Sequence, residues 1–391
     1  MTLTLVADDL SGACDAGALF AGPGPVAVHP DWARLDGARP VVAVDTDSRA
    51  AAPDEARRRV AAAARALGPR LRGRLFKKVD STLRGHVGPE LDALLTAAGR
   101  RRALLAPAFP AQARAVVAGR LLVGGVPVHD TAIGKDPAFP RPTSAVADLV
   151  AAGLAGAVTR LDLETVRRGG AAVRQALAGA AGRLVAADAE TDDDLDALAA
   201  AADDPEVILA GSAGLARAVA RRLALLGEPP PLPEGRAWLV LAGSRHPVTR
   251  AQVGALAAAG TDVRAVTPDG PSALGGLARA IGEGRPAVLA APQAGADDPR
   301  ARADVAAALA RAAVTLLGRC RPDLVVVTGG DTARALARAI GAARIDVIGA
   351  PRPGLALGEA ARPAGPALWL LTKAGGFGDR DLLLALVKGQ P

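Results

Sequence analysis

Short β-branched runs recur along the chain, each ending in polar or glycine residues and each followed by an Ala/Leu/Arg stretch of helical periodicity. The clearest in the first half are Leu3–Ala7, Val41–Val44, Leu75–Val79, Ala103–Ala106, Leu184–Ala187 and Val207–Ala210. In the second half they are Trp238–Ala242, Val263–Val266, Ala287–Ala290, Leu324–Thr328, Val347–Ile348 and Leu368–Thr372. Pleated backbone favours β-branched side chains and helix favours Ala, Leu and Arg, so the alternation predicts an α/β fold of parallel or mixed sheets flanked by helices. At 391 residues the chain exceeds what a single core organises, and with 50% apolar residues it can bury two. Pro229, Pro230, Pro231 and Pro233 crowd the segment from Gly227 to Arg236, where they can neither continue a helix nor sit in a central strand. This segment reads as a linker and predicts two domains, 1–230 and 235–391.

The formal net charge is +7, but the arginines are scattered along Ala-rich helical stretches such as Ala56 to Arg65 and Arg300 to Arg311, where they suit solvated faces. No arginine-rich tail, zinc-finger spacing or aromatic–basic platform accompanies them, so nucleic acid is not an expected partner. A basic surface suits small anionic substrates instead. Cys14 and Cys320 are too few for a metal cluster or a framework of disulfides, and a reduced compartment fits them. The first apolar run leads straight into Asp8 and Asp9 with no basic segment before it, and no apolar run reaches the roughly 18 residues of a membrane span. The expectation is a cytoplasmic protein with no membrane partner.

In open α/β sheets ligands bind beyond the carboxyl ends of the strands, so the polar residues there are the candidates for chemistry. After the first strand, Asp8 and Asp9 precede Ser11 and Gly12 at a helix start. The acidic pair could bind substrate hydroxyls or accept a proton; the plainer reading is a helix cap. The stretch Lys77 to His86 brings Lys78, Asp80, Ser81 and Arg84 within a few residues of a strand end. An arginine suits bidentate binding of a carboxylate and a lysine a point contact to carboxylate or phosphoryl oxygen; a capped helix start with a solvated arginine is the alternative. The segments Ala106 to Gln112 and Val128 to Thr131, with Lys135, Asp136 and Pro137 close behind, could wall a pocket or be ordinary loops.

The second half offers glycine-bearing strand ends. Gly243 and Ser244 follow a strand and precede a helix with Pro247 in its first turn, a geometry that presents backbone N–H groups and the positive end of a helix dipole to phosphate. An apolar strand empties into Gly329 and Gly330, then Asp331 and Thr332; the glycines admit close backbone approach, and Asp331 could hold ribose, Mg²⁺ or the helix cap. The last strand ends in Lys373, Gly375, Gly376 and Gly378. Together these read as a nucleotide cradle. Neither a Walker-A sequence nor a Gly-x-Gly-x-x-Gly after the first strand is present.

With these stretches assembled, the chain resembles the four-carbon acid sugar kinase family, whose members phosphorylate threonate, erythronate or oxo-tetronate. The resemblance runs nearly end to end, through Ala7–Ala13, Val44–Arg49, Lys77–Gly85, Gly211–Leu215, Thr328–Thr332 and Lys373–Gly378. It departs at Gly349–Gly354, where an acidic residue commonly precedes Pro-Gly, and at Arg245-His246, where a small pair is usual. The resemblance implies an N-terminal acid-sugar domain and a C-terminal nucleotide domain with the active site in the cleft between them. It implies that Asp8, Asp9, Lys78, Asp80, Ser81 and Arg84 face the acid sugar, that Ser244, Gly329, Gly330, Asp331, Thr332 and Gly375 meet ATP, and that Mg²⁺ accompanies the phosphates.

The expected activity is ATP-dependent phosphorylation of the terminal hydroxyl of an acid sugar such as D-threonate, D-erythronate or an oxo-tetronate. Arg84, with Lys78, would anchor the carboxylate; Asp8, Asp9 or Asp80 would orient the hydroxyl and take its proton; Lys373 and glycine N–H groups would offset developing charge. No dedicated protein metal site is expected, and oligomeric state is open, a homodimer being one option. Asp45 and Asp47 at the end of Val41–Val44 also look like the Asp-x-Asp of a haloacid-dehalogenase-type phosphatase, although that motif normally lies on the first strand of its domain. A non-catalytic protein that binds acid sugar and nucleotide is the remaining alternative.

Overall fold

The computed structural model describes residues 2–35, 39–266, 274–292, 299–363 and 365–389. Its contacts divide the chain into two compact units, Met1–Gly227 and Glu228–Pro391. Strands of the first unit are β1 (Leu3–Ala7), β2 (Val26–His29), β3 (Val41–Asp45), β4 (Arg74–Lys78), β5 (Arg102–Ala106), β6 (Arg114–Val117), β7 (Arg120–Val123), β8 (Val126–Pro127), β9 (Val158–Leu161), β10 (Leu184–Ala187) and β11 (Val207–Gly211). Those of the second are β12 (Trp238–Ala242), β13 (Asp262–Ala265), β14 (Ala287–Ala290), β15 (Leu324–Thr328), β16 (Ile345–Gly349), β17 (Leu355–Ala360) and β18 (Leu368–Lys373).

The main sheet of the first unit runs β2-β3-β1-β4-β11-β5-β10-β9, and every pairing within it is parallel. Parallel strands need crossovers, and helices such as Leu10–Leu19, Pro53–Leu67 and Val87–Ala98 supply them. Because helices cover the faces, strands such as Leu3–Ala7 and Val41–Asp45 are buried at every position. Val6, Val42, Val60, Leu75, Leu91 and Leu105 belong to one core cluster that joins strands to helices. A small antiparallel sheet, β6-β7-β8, interrupts the alternation after β5.

The second unit is mixed: β13-β14-β12-β15-β18 is parallel, and β17 and β16 add antiparallel strands at one end. Trp238, Val240, Val326 and Leu371 share a core with Leu382 and Leu386 of the last helix. Strands β2, β6 to β9 and β17 are not legible as apolar runs. In β17 the residues Leu355–Ala360 include Gly358 and alanines, poor strand formers, and the antiparallel ladder to β18 overrides that local preference. Among the described residues no helix is long and apolar enough to cross a membrane.

Candidate active site

Register aligns the carboxyl ends of the central strands. In the first unit Ala7 pairs with Asp45 and with Lys78, and Gly211 pairs with Lys78 and with Ala106. The residues that leave β1, β3, β4 and β11 therefore emerge along one edge, and Asp8, Asp9, Thr46 to Arg49 and Val79 to Arg84 share it. Ser48 and Arg49 both donate backbone N–H to the carbonyl of Asp8, at 3.0 and 3.2 Å, which stitches the turn after β3 onto the end of β1.

Asp8 is buried, and Arg49 donates to it from Nε and Nη2, both at 2.8 Å. The same Nη2 reaches Asp9 Oδ1 at 2.7 Å. Burial pushes the Asp8 carboxyl up, but Arg49, Lys77 and Lys78 outweigh it and hold it below the ordinary carboxylate range. Asp9 is the N-cap of the helix Leu10–Leu19, accepting from the Gly12 N–H at 3.0 Å and from the Ser11 hydroxyl at 2.6 Å. The cap and the site are thus the same residue, so the two readings of Asp9 are compatible. Asp15, on the next turn of that helix, has its pKa raised by burial, with Lys78 opposing.

On β4, Lys77 and Lys78 point to opposite faces, as pleating requires. Lys77 is fully buried and pairs with Glu90 at 2.6 Å. Lys78 places its ammonium at the Val79 carbonyl, 2.9 Å away, close beside Gly12. Asp80 accepts from Arg84 Nε at 3.0 Å and Nη2 at 2.6 Å, from the Thr82 N–H at 3.0 Å, and from the Thr82 hydroxyl. Burial raises the Asp80 pKa, yet Arg84, Arg49 and Thr82 more than reverse this and leave it well below the usual value. Ser81 is half-buried in the same turn. Leu83 sits at φ 57, a left-handed conformation that is costly for a branched side chain and that the Asp80 hydrogen bonds hold in place.

The first unit therefore gathers Asp8, Asp9, Lys78, Asp80, Ser81 and Arg84 at one sheet edge. Arg49, which the candidate set lacked, bridges Asp8 and Asp9 and adds positive potential at Asp80; it closes the Val44–Arg49 stretch, and that position was the available signal. Arg114 and Arg141 also lie within electrostatic reach of Asp80 and Arg84. They come from segments that gave no motif. By contrast, the Asp-x-Asp sequence serves the turn after β3. Asp45 Oδ1 accepts from the Asp47 N–H at 2.8 Å, and Asp47, at φ 52, pairs with Arg59 at 3.0 Å.

In the second unit Ala242 pairs with Thr328, and Thr328 with Lys373, so β12, β15 and β18 also end in line. Ser244 sits at the centre. A Cβ placed on Gly329 would lie 3.4 Å from the Ser244 Cβ, and one placed on Gly375 only 2.7 Å. Gly329, at φ 92, precedes the helix Gly330–Ala339, whose N-terminus has no side-chain cap; Asp331 is exposed on its first turn and Thr332 is buried. His246 caps the helix Pro247–Ala258 by accepting from the Val248 N–H at 3.2 Å.

The loop after β18 is held from behind. Lys373 donates to the carbonyls of Ala374 at 2.9 Å, Gly375 at 3.4 Å and Phe377 at 2.9 Å. Thr249 donates to Gly375 O at 2.7 Å, and Gln252 to Phe377 O at 3.1 Å and Asp379 O at 2.7 Å. Thr249 and Gln252 share one helix face by their spacing, a signal the sequence carried but that needed the tertiary fold to acquire meaning. Burial pushes the Lys373 ammonium down to about 7, while its carbonyl acceptors favour the charged form. The bare glycine amides and the open helix N-terminus fit a polyphosphate. Among the described residues no group of three or more His, Cys, Asp or Glu is placed to hold a metal ion.

Residues 3–219 match a family model described as a sugar-binding N-terminal domain, and residues 239–383 match one described as a nucleotide-binding C-terminal domain. A Cupriavidus necator protein named D-threonate kinase is 37% identical, over 98% of this chain and 96% of its own length. A Heliobacterium modesticaldum protein named D-erythronate kinase is 41% identical over 50% of this chain and 47% of its own. A solved structure from Salmonella typhimurium shares the fold at a TM-score of 0.78 and 22% identity, with 100% of both chains covered. The chain belongs to the four-carbon acid sugar kinase family, and its activity is that of a phosphotransferase acting on a sugar acid.

Proposed function

We propose that the protein is an ATP-dependent kinase of the terminal hydroxyl of a four-carbon acid sugar, with D-threonate and D-erythronate as the leading substrates. The observation that carries this reading is the single sheet edge on which Asp8, Asp9, Lys78, Asp80 and Arg84 converge. Such an edge offers acceptors to several hydroxyls and cations to one small anion. The names of the Cupriavidus necator and Heliobacterium modesticaldum relatives support a threonate or erythronate substrate.

ATP with Mg²⁺ supplies the phosphoryl group and neutralises its charge. Ser244, Gly329, Gly330, Thr332 and Gly375 hold the phosphates through backbone and hydroxyl donors. Asp331, exposed at the helix start, faces ribose or the metal. Lys373 acts by fixing the 374–377 loop through its carbonyls. On the first unit, Asp9 and Asp8 accept from sugar hydroxyls and orient the terminal one. In a loose phosphoryl-transfer transition state the proton leaves late, so an ionised carboxylate with a low pKa suffices to receive it.

A coupled ADP-release screen over D- and L-threonate, D-erythronate and the oxo-tetronates, with phosphorus NMR of the product, tests this. Turnover with a 4-phosphorylated product is expected. Absence of nucleotide-dependent turnover across the whole panel overturns the reading.

A further inference from the structure

The arginines near Asp80 use a common device. Arg49 engages Asp8 through the edge formed by Nε and Nη2, and Arg84 engages Asp80 through the same edge. Two N–H groups on that edge point in parallel and match the two oxygens of a carboxylate. Arg141 buries the same two atoms, Nε and Nη2, and neither has a hydrogen-bond acceptor among the described residues. Its Nη1 makes a long hydrogen bond to the Pro140 carbonyl at 3.3 Å.

Arg114 stands in a related position. Its Nη1 is fixed by Gln112, through Oε1 at 3.0 Å and the backbone carbonyl, while its buried Nε has no acceptor among the described residues. Burial disfavours the charge of both arginines. Asp80 supports both and Arg84 opposes both, with Asp136 adding support at Arg141. The local balance is therefore a neutralised Asp80–Arg84 pair beside two cations whose donors are incompletely used. Leaving a buried N–H without an acceptor is costly, and a bound anion removes that cost.

We propose that Arg141, assisted by Arg114, is the carboxylate receptor of the acid-sugar site. Arg84 orients Asp80 and contributes positive potential, since its own bidentate edge is taken. The inference rests on the acid-sugar kinase reading and adds what that reading leaves open: which residues distinguish an acid sugar from the corresponding neutral polyol. Both arginines belong to the chain between β5 and β9, outside the parallel-strand ends, so selectivity for the acid end is separable from the groups that hold the hydroxyls.

The test compares wild type, Arg141→Gln, Arg141→Lys and Arg114→Gln as full-length enzymes, by steady-state kinetics with D-threonate, D-erythronate, threitol and erythritol. For Arg141→Gln the acid-sugar KM is expected to rise on the order of 100-fold while the ATP KM is unchanged, because one bidentate charged contact is lost. The preference for acid over polyol should collapse by a similar factor, a readout that a purely structural role would not move. Arg141→Lys should recover only part, since an ammonium lacks the planar fork. Arg114→Gln, which serves if the Arg141 variants fold poorly, should raise the same KM by a smaller factor. Unchanged acid-sugar KM and unchanged acid-over-polyol preference in folded variants would overturn the inference while leaving the kinase reading intact. Failure of the wild type to phosphorylate any acid sugar would overturn the reading itself.

Discussion

Arg49 grips Asp8 through two 2.8 Å hydrogen bonds and reaches on to Asp9 at 2.7 Å, so one guanidinium sets the position of both carboxylates at the end of β1. A lysine keeps the charge but cannot serve both carboxylates with a planar fork. Arg49→Lys is expected to lower kcat/KM for the acid sugar by about 100-fold with ATP binding nearly unchanged. Steady-state kinetics with each substrate varied in turn checks the split.

The Asp80–Arg84 pair has a pH signature. Because the folded-state pKa of Asp80 lies well below 3.8, its contribution to stability is present above that value and is lost as pH falls through the folded-state pKa. Arg84→Gln removes the leading stabiliser of the ionised form, so acid unfolding followed by circular dichroism should move to higher pH. Arg84→Ala should also strongly reduce kcat/KM for the acid sugar while ATP affinity holds. Collapse of ATP affinity with an unaltered sugar KM would contradict the assignment of this edge to the sugar.

Lys77 and Glu90 form an ion pair at 2.6 Å, with side chains 0% and 2% exposed. Removing either partner leaves a buried charge, so Lys77→Met and Glu90→Leu are each expected to cost about 3–5 kcal/mol in denaturant unfolding. The double variant should recover much of that loss, because the desolvation penalty of the remaining charge disappears with it. Additive losses would show that the two side chains do not compensate each other.

Lys373 titrates near the working range of an enzyme. Between a folded-state pKa of about 7 and the ordinary 10.5 the unfolded chain binds more protons, so stability should rise with pH across that window. The neutral amine has fewer donors for its three carbonyl acceptors, so the ATP KM should rise over the same interval. Lys373→Met is expected to flatten both profiles, measured by thermal melts and kinetics from pH 6 to pH 10 (about one pH unit per step).

Gly375 sets the closeness of the phosphate loop to Ser244. A Cβ there would approach the Ser244 Cβ to 2.7 Å, so Gly375→Val must displace one of the two loops. The expected result is a rise in the ATP KM of at least about tenfold, with the acid-sugar KM little changed. Isothermal titration with ADP provides the check independent of turnover.

Taken alone, the sequence determined the strands of the parallel cores apart from the outer β2 and β9, and what chemistry leaves them. Leu3–Ala7, Leu184–Ala187, Trp238–Ala242 and Leu324–Thr328 are strands with the expected bounds, because buried parallel strands require continuous apolar runs and end abruptly at polar or glycine residues. Tertiary structure alone decided the partners. Sheet order places β11 between β4 and β5, and the turn after β3 crosses onto β1, so Arg49 meets Asp8 across 41 positions. It also decided that Arg84 is committed to Asp80, that Lys373 faces carbonyls, and that Arg114 and Arg141 come within reach of Asp80. Local propensity reports on a residue's own backbone, whereas an ion pair depends on sheet register and crossovers, which are properties of the whole packed chain.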